Sequence, residues 1–144
     1  MKSLDLIMLI DDNDADNEYH QLVIGKADIT KKLKNIDDSR VALEYFRHCF
    51  KDEINDAYPL PDLVFLDINM PAINGFELMD EMRKLPDPYN KLGRMRIFML
   101  TGSLNQDDYK LAMEKYHDLI KGFRIKPLTD TIFYLIIQEY FTEK

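Results

Sequence analysis

Cysteine is almost missing from this chain: Cys49 is the single one among 144 residues. It has no partner within the chain, so no internal disulfide framework holds the fold, which suits a reducing, cytoplasmic setting. Long apolar runs are missing as well. The longest early run, Leu6 to Ile10, is far shorter than the roughly 20 residues of a membrane span and too short for a signal-peptide core. No membrane partner is expected. Positive charge is in deficit, with 19 Lys and Arg against 26 Asp and Glu and a formal net charge of −7. Such a field repels phosphate backbones and disfavours broad nucleic-acid binding. Histidine is scarce: His20, His48 and His117 stand apart in helical segments without metal-ligand spacing, which points to packing rather than zinc. Internal repeats, low-complexity tracts and obvious linkers are absent too.

What is present is an ordinary globular composition, 46 % apolar and 31 % charged, at a length that fits one compact domain over residues 1–144. Short apolar runs alternate with helical periodicities. Leu4–Ile10 reads as a buried strand, Asp14–Lys26 as a helix with Ala15, Tyr19, Leu22 and Val23 on its apolar stripe, and lysine-rich Thr30–Ile36 as an edge strand. Ser39 is placed as the N-cap of a helix packing Ala42, Tyr45, Phe46 and Cys49. Leu63–Leu66 is a strand ending in Asp67, and Gly75–Lys84 a helix packing Phe76, Met79 and Met82. Pro86, Pro88 and Gly93 mark a loop before the strand Ile97–Leu100. Asn105 caps a helix running through His117, with Tyr109, Ala112, Met113 and Tyr116 facing inward. The strand Leu119–Ile125 and the helix Thr129–Phe141 close the chain. In that last helix Ile132, Leu135, Ile136 and Tyr140 are assigned to the inner face, and Tyr134, Ile137 and Phe141 to the outer.

Five strands alternating with five helices predict an α/β, doubly wound parallel sheet of flavodoxin-like topology, order 2-1-3-4-5. Its strands end at one common rim. There strand one delivers Asp11 and Asp12, strand three Asp67, strand four Thr101 and strand five Lys126. Three carboxylates gathered together repel one another unless a cation sits among them. A hard divalent ion with oxygen ligands answers this, and Mg²⁺ is favoured because it keeps waters for a phosphate group. A carboxylate can also attack phosphorus to give an aspartyl phosphate, with an ammonium and a hydroxyl stabilising the transferred group. Asp67, central among these strands, is the candidate acceptor.

These residues resemble the receiver domain of response regulators in two-component signalling, over Leu4 to Phe141. The resemblance rests on the acidic pair, on Asp67-Ile68-Asn69-Met70-Pro71 with Asn74-Gly75, on Thr101-Gly102 and on Lys126-Pro127, in that order. It implies that Asp67 accepts a phosphoryl group from a histidine kinase or histidine phosphotransfer protein. It further implies that Asp12 and Asp67 ligate Mg²⁺ by side chain, Asn69 by its backbone carbonyl and Asp11 through a water. Lys126 and Thr101 would bind the phosphoryl group. Phe123 occupies the aromatic switch position, where the commoner tyrosine would carry a hydroxyl, and the bond before Pro127 is expected to be cis.

Two other functions compete. An Mg²⁺-dependent phosphatase working through an aspartyl phosphate needs an acid two residues after its nucleophile, and Asn69 stands there. A flavin- or nucleotide-binding domain needs a Gly-, Ser- or Thr-rich phosphate loop after strand one, where Asp11-Asp12-Asn13-Asp14 would repel phosphate. After Pro127 only 17 residues remain, enough for one helix and no output domain. Output is therefore expected as a protein contact, on the face of helix 4, strand 5 and helix 5, which is also the expected homodimer surface.

Overall fold

A computed structural model describes residues 3–103 and 105–142. Five strands, β1 (Leu4–Ile10), β2 (Thr30–Ile36), β3 (Leu63–Asp67), β4 (Arg96–Thr101) and β5 (Ile120–Ile125), alternate with five helices. The helices are α1 (Asp14–Ala27), α2 (Ser39–Lys51), α3 (Gly75–Lys84), α4 (Gln106–Lys115) and α5 (Asp130–Phe141). The sheet order is β2-β1-β3-β4-β5, and all neighbouring strands pair in parallel. This is the doubly wound order expected from the alternation. Lysine-rich β2 does lie at an edge, where exposed Lys31, Lys32 and Lys34 discourage the addition of a foreign strand.

Alternation along the strands divides the core in two. Met8, Ile10, Val64, Leu66, Ile97 and Met99 pack with α2, α3 and α4. Ile7, Leu9, Leu63, Phe65, Phe98 and Leu100 pack with α1 and α5. Successive strand side chains point to opposite faces, so two-sided burial demands near-continuous apolar runs. β5 is the exception, with Ile120 its only buried residue. There Gly122 lies under the Phe98 ring, whose nearest carbon would stand 2.7 Å from any Cβ.

Two helices sit in a different phase from the sequence reading, and a third, α4, keeps its phase but is buried less deeply. In α1 the buried residues are Asn17, His20, Val23 and Ile24, while Tyr19 and Leu22 face solvent at 44 % and 62 % exposure. Hydrogen bonds offset the burial of His20, which accepts from the Leu128 N–H, and in part that of Asn17, whose Nδ2 donates to the Asp11 carbonyl while its Oδ1 takes no hydrogen bond. In α5 the buried set is Phe133, Ile136, Ile137 and Phe141, so Ile137 and Phe141 are inside and Leu135 is outside. The helix is apolar nearly all round, and Phe133, packed against Phe65 with ring centroids 6.2 Å apart, decides its rotation. In α4 only Ala112 is buried, with Tyr116 buried just beyond it, stacked on Phe76. Tyr109 and Met113 are left exposed.

The caps show a smaller correction. Asp38, not Ser39, caps α2 by accepting from the Arg40 N–H. Ser39 is buried in the first turn, its hydroxyl donating to the Pro71 carbonyl. Cys49 is buried in the core as expected.

Candidate functional site

Parallel pairing places the ends of β1, β3, β4 and β5 at one rim. Asp67 is in register with Leu100, and Thr101 with Ile125. The Lys126 N–H then donates to the Thr101 carbonyl at 2.7 Å, continuing the ladder one residue past β5. At β1, the Asp11 carboxylate accepts from the Asn13 N–H at 3.0 Å. Asn13 in turn caps α1 through the Asp16 N–H. The acidic pair is therefore not the helix cap, and its carboxylates are left for the rim.

Between β3 and α3 the chain must double back closely. Ala72 takes a left-handed φ of 67°, and the Gly75 N–H donates to the Ile68 carbonyl at 2.8 Å. A Cβ on Gly75 would stand 2.5 Å from the Asp67 carbonyl oxygen, so only glycine lets α3 begin this near the acid. Asn74 and Glu77 close the helix start with a reciprocal capping box.

Asp11, Asp12 and Asp67 each offer a carboxylate oxygen within 4.8 Å of the others. Asp11 and Asp67 are buried and Asp12 is exposed. Lys126 Nζ lies 2.7 Å from Asp11 Oδ2, 2.7 Å from Asp16 Oδ2 and 3.2 Å from Asp67 Oδ1. Burial foremost, and then the charge of Asp11, push the Asp67 carboxyl up to about 6, against the pull of Lys126. Burial also works against the Lys126 charge. Its pairing with Asp11 and Asp16 and the charge of Asp67 more than offset this, and raise it above the ordinary lysine range.

One ammonium does not satisfy this cluster. The contact between Asp11 Oδ2 and Lys126 is close in distance but poorly directed, and that buried oxygen takes no well-aligned hydrogen bond. Three convergent carboxylates against one ammonium form a donor set of the kind hard divalent cations take. The residues present thus fit such an ion.

The remaining expected residues sit on β4, on β5 and in the turns that follow β3 and β5. Thr101 is buried, its hydroxyl donating to the Ser103 carbonyl at 3.0 Å, turned toward its own loop. Asn69 is exposed, two residues past Asp67. Phe123 is partly buried and packs edge-on to Tyr109 of α4, with centroids 5.6 Å apart. The Lys126-Pro127 bond is cis. Asp16, Asn17 and His20 were not foreseen. An acid in the first turn of a helix reads as a dipole partner, and buried polar residues on an apolar stripe read as solvent-facing. Nothing local signals the contacts that Asp16 and His20 make to the turn after β5, more than 100 residues on.

Comparison with known proteins places the chain in a family. The family described as response regulator receiver domain matches residues 7–132. The response regulator Rcp1 of Synechocystis sp. is 31 % identical over 127 residues, spanning 85 % of this chain and 80 % of that protein. A two-component response regulator from Cytophaga hutchinsonii shares the fold with a TM-score of 0.82 at 22 % identity, covering 99 % of this chain and 100 % of its own. The phosphorylated cyanobacterial phytochrome response regulator RcpA superposes with a TM-score of 0.71 at 24 % identity, covering 97 % and 96 %. With a family model over most of its length and a relative at this identity, the chain belongs to the response-regulator receiver domains of two-component signalling.

Proposed function

We propose that this chain, over residues 1–144, is a phosphoacceptor switch in which Asp67 takes a phosphoryl group from the phosphohistidine of a histidine kinase or histidine phosphotransfer protein. The observation that carries this reading is the crowding at Asp67, with acid oxygens of Asp11 and Asp12 within 4.8 Å and the Lys126 ammonium at 3.2 Å. An Asp67 oxygen attacks phosphorus, the P–N bond breaks, and the electron pair leaves with the imidazole nitrogen, which takes up a proton. The product is an acyl phosphate on Asp67.

Lys126 already stands beside Asp11 and Asp67 and supplies countercharge to the incoming oxygens. Thr101, rotated away from the Ser103 carbonyl, donates its hydroxyl to the bound phosphoryl group. Asp12 and Asp67 would hold Mg²⁺ by their side chains, Asn69 by its backbone carbonyl and Asp11 through a water. When bound, the ion neutralises charge on the transferring group. Phe123, on β5, packs edge-on against Tyr109 of α4, so its ring couples movement of Thr101 to the α4–β5–α5 face. Its three elements expose Tyr109, Leu111, Met113, Ile125 and Leu135, while Tyr134 of α5 turns toward α1 beside Val23 and Lys26. Such a surface suits a protein target in the cytoplasm or a second copy of the chain. Among the described residues no helix is long and apolar enough to cross a membrane.

The test is incubation with Mg²⁺ and acetyl phosphate, read by intact mass. A gain of one phosphoryl group is expected, lost in Asp67→Asn and on chelating the metal. A folded protein that gains none, or an Asp67→Asn variant that gains it equally, overturns the reading.

A further inference from the structure

The turn that carries Lys126 is gripped by α1 at two points one helical turn apart. Asp16, partly exposed, brings Oδ2 to 2.7 Å from Lys126 Nζ. Four residues on, and so on the same side of the helix, His20 is 2 % exposed. Its Nε2 accepts from the Leu128 N–H at 3.0 Å. Burial foremost, then the charge of Lys126, hold the His20 pKa below its ordinary value, leaving a neutral ring with a lone pair to accept with. Between them Asn17 Nδ2 donates to the Asp11 carbonyl at 2.7 Å, fixing the same helix to the end of β1. A core position does not need a ring nitrogen; a leucine would fill it and leave the Leu128 N–H without a partner.

We propose that Asp16 and His20 form a positioning clamp on Lys126. Asp16 holds the ammonium from the α1 side, and His20 fixes the backbone two residues beyond it. A lysine side chain is a flexible four-carbon stem with a point charge at its tip. Its place between Asp11 and Asp67 therefore depends on what holds its base and what competes for its head. The clamp supplies both and so sets how readily Asp67 gains a phosphoryl group. That kinetic consequence rests on the phosphoacceptor reading; the hold on Lys126 does not.

The test compares wild type with Asp16→Asn, His20→Leu and His20→Gln, whose side-chain carbonyl can still accept from the Leu128 N–H. One readout needs no phosphoryl transfer: the rate at which an amine-reactive N-hydroxysuccinimide ester labels Lys126 in the native protein, mapped by peptide mass. The other is the rate of phosphoryl gain from acetyl phosphate with Mg²⁺. Asp16→Asn and His20→Leu should speed labelling of Lys126 and slow phosphoryl gain, each by about three- to tenfold, the span of one net hydrogen bond. His20→Gln should stay near wild type in both. The clamp is overturned if His20→Leu and His20→Gln behave alike, or if Asp16→Asn leaves Lys126 labelling unchanged. Asp16 is partly exposed, so this arm decides the question even if His20→Leu fails to fold. Should wild type gain no phosphoryl group while the labelling pattern holds, the Asp67 reading falls and the clamp stands.

Discussion

Asp67 is a carboxylate held at a disadvantage. Burial and the nearby Asp11 charge bring its pKa from 3.8 to about 6 in the folded chain. Because the folded value lies above the unfolded one, the folded state binds more protons between the two. The contribution of Asp67 to metal-free stability therefore falls as pH rises from about 4 through about 6, then levels off. Asp67→Asn removes the buried charge. In EDTA it should melt several degrees above wild type near neutral pH and converge with it toward about pH 4, as thermal melts across that range will show. Equal melting temperatures at neutral pH would mean that Lys126 fully compensates the charge. Cys49 makes a simpler case, since it is fully buried and burial pushes its thiol up to about 11. A maleimide should leave it unlabelled in the native protein and label it once urea unfolds the chain. At this scale the sequence shows residues whose chemistry is improbable at a strand end: Asp11, Asp12, Asp67, Thr101 and Lys126. It hides Asp16 and His20, whose partners become neighbours only once β5 is in place.

Among the elements, α3 is fixed most tightly to the site. Gly75→Ala would drive a methyl group into the Asp67 carbonyl, 2.5 Å away, so either α3 or the end of β3 must shift. A loss of about 1–3 kcal/mol is expected by denaturant titration, as for other overpacked positions, together with slower phosphoryl gain. An alanine variant as stable as wild type would show that this junction yields easily. Element boundaries and types are legible in the sequence because β1, β3 and β4 are short apolar runs bounded by polar residues. Helix rotation is less so. In α1 the buried stripe carries two hydrogen-bonded polar residues, and its exposed stripe carries Tyr19 and Leu22, which inverts the usual hydrophobic cue. In α5 the apolar residues encircle the helix, and only contact with Phe65 and Phe98 of the sheet selects the inner face.

For the molecule as a whole, α4 is the element with the least to hold it. Only Ala112 within it is buried. Its C-terminal end is anchored by Tyr116, which stacks on Phe76 and donates its hydroxyl to Asp80 at 2.9 Å. The opposite end meets β5 through Tyr109 and Phe123. Few buried contacts mark an element that can move without unfolding the rest. Charge placed on the neighbouring face, as in Leu135→Asp, should leave phosphoryl gain within about twofold of wild type. Any association that follows phosphorylation, read by light scattering, should be abolished. Association that survives this change would place the contact elsewhere.

The bond between Lys126 and Asp16 joins residues 110 positions apart, and the strand before that lysine is the last of the five in chain order. During synthesis the three acids are therefore made long before their counterion arrives. A nascent or clipped chain lacking β5 would hold mutually repelling carboxylates and no acceptor geometry, so competence to receive a signal arises only in a chain whose final strand has docked.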